Sequence, residues 1–171
     1  FRMDSFRRAG GYDESFTHNE DAELDCRQRA LGSRIYLDAD IRIGYRPRGT
    51  WRGLWRQYFQ YGRGRARTVQ RHPASLRARQ LAVPAYVASC SAALALAPWW
   101  PLLLLWPGVY AAALLAVSLQ LAGRHRAACA WLAGPAAATM HWAWAAGFLG
   151  GLLTARERVW IPPRAGRGAL Q

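Results

Sequence analysis

The chain has no lysine at all, three cysteines far apart in sequence, and ten acidic residues against 23 arginines. Each scarcity excludes something. Cys26, Cys90 and Cys129 give neither a disulfide framework nor a zinc-ligand spacing and read as small packing residues. Replacement of every lysine by arginine reads as compositional bias and carries no function. The acids are missing mainly by position. Nine lie in residues 1–40, giving that part a net charge of −3, whereas residues 41–80 hold eleven arginines and no acid, and the remainder carries +5. Such partition argues against one uniform globular domain. No basic-then-apolar leader opens the chain, so no signal peptide is read from it.

Charge is also absent over two long runs, 43 residues from Leu81 to Gly123 and 29 from Ala127 to Ala155. With roughly 20 apolar residues needed per span, the first run accommodates two helices and the second one. The reading is a hairpin turning at Pro98-Trp99-Trp100-Pro101, then a third crossing after Gly123-Arg124-His125-Arg126. In the third segment Ala143, Gly147 and Gly151 share a small-residue face. His141 there is expected to be a neutral imidazole bonded to a neighbouring helix. Three crossings place the tail, with Arg156, Arg158, Arg164 and Arg167, on the far side from residues 1–80.

Thr17-His18-Asn19-Glu20 spells a capping box, and Asp21 and Glu23 follow where carboxylates face the positive helix end. A helix from about Glu20 to Leu31 is predicted, stopped by Gly32. Arg34–Leu37 and Ile41–Tyr45 read as short strands, the second closed by Pro47. Trp51, Leu54, Trp55, Tyr58 and Phe59 make an apolar helical stripe with Arg52, Arg56, Gln57, Gln60 and Arg63 around it. Aromatics opposite arginines suit a helix lying in a membrane interface; a soluble helix packed on a core is the alternative. Gly62 and Gly64 are expected to end it.

Gly10-Gly11-Tyr12-Asp13-Glu14, followed by Glu20-Asp21 at a helix start, puts carboxylates where local amides can fix them. By composition alone this is either a general base or ordinary capping. The ordered run Gly-Gly-Tyr-Asp-Glu, Asn19-Glu20-Asp21-Ala22-Glu23-Leu24, Arg27 and Gly32 resembles the acceptor-side half of family 2 glycosyltransferases of GT-A fold. Trp55-Arg56-Gln57-Tyr58-Phe59-Gln60-Tyr61-Gly62-Arg63-Gly64-Arg65 is similar to the segment after the catalytic domain in membrane-attached bacterial members of the succinoglycan type. The resemblance covers roughly residues 1–80 in ordered motifs.

That resemblance implies an inverting transfer of a sugar from a nucleotide-sugar donor to a saccharide or polyprenyl-diphosphate-linked acceptor, in exopolysaccharide or cell-surface glycan synthesis. Asp21 matches the catalytic base and Glu20 its neighbour. Gly10, Gly11, Asp13 and Glu14 fall in the acceptor-side motif. Processive relatives carry Gln-x-x-Arg-Trp; here Gln57-x-x-Gln60-Tyr61 stands in its place, which argues against a processive polymerase and leaves Arg56, Arg63 and Arg65 as candidates for phosphate, or for anionic lipid alone. A divalent metal, Mg or Mn, is implied, but its Asp-x-Asp ligands are absent, since Asp38-Ala39-Asp40 follows the Glu-Asp motif instead of preceding it. The chain is therefore expected to be the C-terminal part of a longer enzyme, inactive by itself, in the bacterial cytoplasmic membrane with its catalytic part facing the cytoplasm.

The expected architecture is an α/β fragment of a GT-A domain over residues 1–48, an interfacial helix and Arg-rich connector over 49–80, about three transmembrane helices within 81–155, and a basic tail over 156–171. A polybasic membrane anchor with no enzymatic role is the competing reading. Nucleic acid is not expected as a partner, because the Arg-rich segment leads directly into apolar spans.

Overall fold

The computed structural model describes residues 2–45 and 48–163; Pro47 and the tail arginines Arg164 and Arg167 lie outside these. The described residues form α1 (Met3–Arg8), α2 (Glu20–Ala30), α3 (Trp51–Arg71), α4 (Ala78–Leu96), α5 (Leu105–His125) and α6 (Ala133–Thr154), with short 3-10 turns before α4, α5 and α6.

The predicted helix at Glu20 is present, but Thr17 does not cap it. Asn19 does the capping from a left-handed backbone (φ 68°) without a side-chain cap bond. At the other end Gly32 (φ 86°) reverses the chain, with Ser33 N–H bonding the Gln28 carbonyl at 2.9 Å and Gly32 N–H the Arg29 carbonyl at 3.0 Å. Those two bonds close the end of the helix as a positive-φ glycine allows.

The expectation of an α/β fragment is overturned: among the described residues there is no strand. Residues 33–38 and 41–45, separated by a turn at 39–40, have no ladder partner among the described residues, and a strand exists only through pairing. Their alternating side chains stay in solvent, Tyr36 at 86%, Leu37 at 91% and Ile43 at 84% exposure.

Thr50 Oγ1 accepts from Gly53 N–H and starts α3, which does not stop at its glycines but continues to Arg71. Gly62 and Gly64 are buried instead. A Cβ on Gly62 would lie 2.1 Å from the Trp144 carbonyl oxygen, and one on Gly151 2.7 Å from Ala66 Cβ. The small-residue face Ala143, Gly147 and Gly151 thus packs on α3. Residue numbers rise together along the contact, so α3 and α6 run parallel. Ala66, Val69 and Phe148 form the core between them, with Leu76 and Trp144 against it, and Trp144 stacks on Phe148 at 5.1 Å.

This pairing also overturns the three-span region. Among the described residues one helix, Pro101–His125, is long and apolar enough to cross a membrane. Helix α6 lies along α3, whose arginines cannot enter hydrocarbon, and α4 carries Arg79 and Pro84 in its first half. Beyond α6 the chain returns to the N-terminal part: Glu157 pairs with Arg67 at 2.6 Å and Arg71 at 2.9 Å, and Trp160 N–H bonds the Arg71 carbonyl at 3.0 Å. Residues 156–160 therefore sit beside residues 13–16 rather than on the far side.

The turn at Pro98–Pro101 joins α4 to α5 as expected, but of the two crossings expected around it only Pro101–His125 is long and apolar enough for one among the described residues. Trp106 Nε1 donates to Ser89 Oγ at 2.9 Å and Tyr86 OH to the Trp106 carbonyl at 3.1 Å, tying α4 to α5. His141 Nδ1 meets Tyr110 OH at 2.9 Å, the interhelical bond expected of it.

Candidate functional site

The loop before α2 is seated on α3 through a missing side chain. A Cβ on Gly64 would lie 2.5 Å from the His18 carbonyl oxygen and 2.9 Å from Asn19 Cβ. In the space so left, Asn19 Nδ2 donates to Thr68 Oγ1 at 2.7 Å, and Thr68 Oγ1 donates to the Gly64 carbonyl at 3.2 Å. The first turn of α2 is thereby fixed against the middle of α3. Asp21 is exposed there, with Oδ1 accepting from Ala22 N–H at 2.7 Å.

Above this junction lies a cleft of about 580 Å³ walled by Thr17, His18, Asn19, Glu20 and Asp21 from the α2 start, Tyr61 and Arg65 from α3, Gln80 from α4 and Trp144 from α6. Two carboxylates thus face a phenol, an indole and a guanidinium. Gln57 Nε2 donates to Tyr61 OH at 2.8 Å and to Tyr45 OH at 2.9 Å, so it fixes the phenol one helical turn away.

Of the residues singled out from the sequence, Glu20, Asp21, Tyr61 and Arg65 come together in this cleft, with Gln57 behind Tyr61. Gln60 and Arg63 line a separate hollow of about 390 Å³ together with Arg67 and Glu157. Arg56 is exposed on α3 and lines neither. Gly10 and Gly11 turn the chain with φ of 84° and 72°, and Glu14 is exposed; neither the glycines nor Asp13 nor Glu14 wall the cleft.

Of the Gly-Gly-Tyr-Asp-Glu run, Asp13 takes part in the ion-pair network that ties the loop to α3. Arg27 Nη1 donates to the Ala9 carbonyl, and Asp13 forms an ion pair with Arg71. The hydrogen bond from Arg71 holds the Asp13 carboxyl well below the usual carboxylate range. Glu23 is fully buried and accepts from Arg27 Nε at 2.9 and 3.0 Å and Nη2 at 2.7 Å, with His72 Nε2 at 3.0 Å. Burial alone would raise its pKa, but the bonds from Arg27 and His72 outweigh it and the net shift is downward. Arg67 and Arg71 both lie over the Phe16 ring, at 4.0 and 4.8 Å.

Sequence reasoning missed Trp144, Gln80, Thr17 and His18 as cleft residues. Trp144 follows the small face by one residue, a signal readable only once that face is known to pack on α3. No group of three or more His, Cys, Asp or Glu among the described residues is placed to hold a metal. Asp40 is exposed and Asp38 half-buried, and Asp38 Oδ1 accepts from Asp40 N–H in a local turn. The divalent metal that the resemblance implies does not fit these described residues.

Comparison with curated proteins finds 43% identity over 160 residues to the succinoglycan biosynthesis protein ExoA of Rhizobium meliloti (strain 1021). This chain is similar to a succinoglycan biosynthesis protein. The match takes in 92% of the chain and 48% of the relative, so the chain spans about half the length of the protein it matches. The resemblance to the succinoglycan type read from residues 1–80 is borne out, and it extends over nearly the whole chain, apolar region included. No known family profile matches. No solved structure matches either.

Proposed function

We propose that the chain is the acceptor-side and membrane-proximal part of an inverting glycosyltransferase of exopolysaccharide synthesis. The observation that carries this reading is the meeting of Glu20 and Asp21 with Tyr61 and Arg65 in one cleft, in a chain 43% identical to a succinoglycan biosynthesis protein.

In this reading Asp21 is the base. Its Oδ1 is engaged by the Ala22 amide, which leaves Oδ2 to take the proton of an acceptor hydroxyl as that oxygen attacks the anomeric carbon of the nucleotide sugar. Positioned general bases contribute about 10²- to 10⁴-fold in rate, and anchoring by the helix start supplies the orientation. Glu20 holds a second acceptor hydroxyl. Tyr61, fixed by Gln57, and Trp144 offer a phenol and an apolar face to a sugar ring. Arg65 offsets the charge of the departing diphosphate. The cytoplasmic side suits the donor pool, with α5 in the bilayer.

The test uses the full-length protein. Asp21→Asn is expected to lower sugar transfer by about 10²-fold or more while nucleotide-sugar binding is retained. Transfer within about threefold of wild type would overturn the assignment.

A further inference from the structure

Residues 9–19, between α1 and α2, form neither helix nor strand, so contacts from elsewhere in the fold fix their place. Residues 13–16, which lead into Glu20 and Asp21, reach α3 through two arginines. Arg67 Nη1 donates to the Ser15 carbonyl at 2.6 Å and Nη2 to Ser15 Oγ at 3.1 Å, while Arg71 Nη1 pairs with Asp13. Both guanidiniums cover the buried ring of Phe16.

The two arginines are themselves held from the far end of the chain. Glu157 Oε1 accepts from Arg67 Nε at 2.6 Å and Oε2 from Arg71 Nη2 at 2.9 Å, and its side chain is only 11% exposed. Each guanidinium therefore turns one edge to Glu157 and another to the loop, and its planar fork ties the two directions together. Arg71 also has Asp13 and Glu23, but Arg67 has no carboxylate besides Glu157 among the described residues. The backbone bearing Glu157 is pinned in turn. Gln70 donates through Nε2 to the Leu152 carbonyl at 3.0 Å and accepts at Oε1 from Glu157 N–H at 3.3 Å, Trp160 N–H bonds the Arg71 carbonyl, and the Trp160 ring lies 5.7 Å from that of His72.

We infer that Glu157 is a positioning residue: through Arg67 and Arg71 it sets the place of residues 13–16 and, through them, of the α2 start that carries Glu20 and Asp21. Without its carboxylate Arg67 keeps only the neutral oxygens of Ser15, and the loop loses the fixed direction of that guanidinium. A reacting group has to be held within about 0.5 Å of its productive place, and displacement by about 1 Å can lower a rate by about 10²-fold. The effect on transfer rests on the reading of Asp21 as base; the mechanical coupling of residues 155–160 to the loop does not. If these ion pairs only fastened residues 155–160 to α3, their loss would free that segment and leave the loop as it is.

The experiment uses full-length protein in neutral detergent and reads amide hydrogen exchange beside steady-state transfer. Glu157→Gln keeps the shape of the side chain and removes its charge; Glu157→Asp keeps the charge on a shorter stem and carries the test should the first variant fail to fold. Trp106→Phe, which removes the indole bond between α4 and α5, is the remote control. Exchange over residues 13–19 is expected to rise at least about fivefold in Glu157→Gln and less in Glu157→Asp, with α3 unchanged and the control within about twofold. Transfer is expected to lose about tenfold in kcat with the KM for the donor within about twofold. Combined with Arg67→Gln, Glu157→Gln should add less than its separate effect, since both act through one guanidinium. Unchanged exchange over residues 13–19, an equal rise across all helices, full additivity, or unaltered kcat in an active enzyme overturns the inference. Selective loosening of the loop in a protein whose wild type transfers no sugar would sink the transferase reading and leave the coupling standing.

Discussion

Gly147 of α6 and Phe59 of α3 meet so closely that a Cβ on the glycine would stand 2.0 Å from the Phe59 carbonyl oxygen. Gly150, three residues on, has nothing within 4 Å of the same atom. Gly147→Ala must therefore drive two backbones apart and is expected to destabilise by about 1–3 kcal/mol or more. Gly150→Ala meets no obstacle and is expected to stabilise the helix by about 0.5–1 kcal/mol. Thermal unfolding followed by circular dichroism checks both; equal effects at the two positions would show that the contact does not hold α6 to α3.

The same glycines explain what could and could not be read from the sequence. The helix at Glu20 was legible because its acidic first turn and terminal Gly32 are local signals. The turn between α4 and α5 was legible because prolines interrupt an apolar run. The extent of α3 was not, since Gly62 and Gly64 spell a helix stop unless the backbones they admit are known. The crossing of α6 was misread for the same reason: its small-residue face was visible, but its partner, an arginine-bearing helix, was not. Strands at residues 34–45 have the right alternation, and only the absence of a described partner keeps them unpaired. Within the site, Asp21 and Tyr61 were found through motif order, whereas Trp144 enters the cleft from 83 positions beyond Tyr61, a proximity that only the packing of α6 creates.

Acid should loosen the frame before it affects helix content in α5. Asp13 and Glu23 both have carboxyls held below their ordinary values, by Arg71 for the first and, against the pull of burial, by Arg27 and His72 for the second. A group with a depressed folded pKa contributes its stability above the unfolded pKa and loses it as pH falls through the folded one. Stability is therefore expected to hold down to about pH 5 and to fall below about pH 4. Arg71→Gln should move the acid transition upward, because it removes a partner from Asp13, Glu23 and Glu157 together. An unchanged acid midpoint in urea titrations across pH would refute the role of this network.

Tyr61 OH accepts from Gln57 Nε2 and keeps its own proton to donate into the cleft. Tyr61→Phe removes that donor from a side chain 41% exposed, so stability should change by no more than about 0.5 kcal/mol. Transfer by the full-length enzyme is expected to fall about tenfold. Gln57→Ala should have a smaller effect, since it frees the phenol without deleting it. Activity unaffected by Tyr61→Phe would remove the phenol from the proposed acceptor site.

The placement of the segment after α6 gives the sharpest test of topology. Glu157 is bonded to both Arg67 and Arg71, and those arginines reach Ser15 and Asp13. A segment on the opposite face of a bilayer could not make these contacts, so residues 156–160 are expected on the same side as α2. Positive charge agrees, because Arg156 and Arg158 then stay with the arginines of α3, as the bias of basic residues toward one side of a membrane asks. The measurement is labelling of single cysteines by a membrane-impermeant maleimide in a background lacking Cys26, Cys90 and Cys129. Arg158→Cys, at an exposed position, and Asp38→Cys, at a half-buried one, should react from the same side of sealed vesicles. Opposite labelling of positions 158 and 38 would break the ion-pair cluster at Glu157 and restore α6 as a crossing helix.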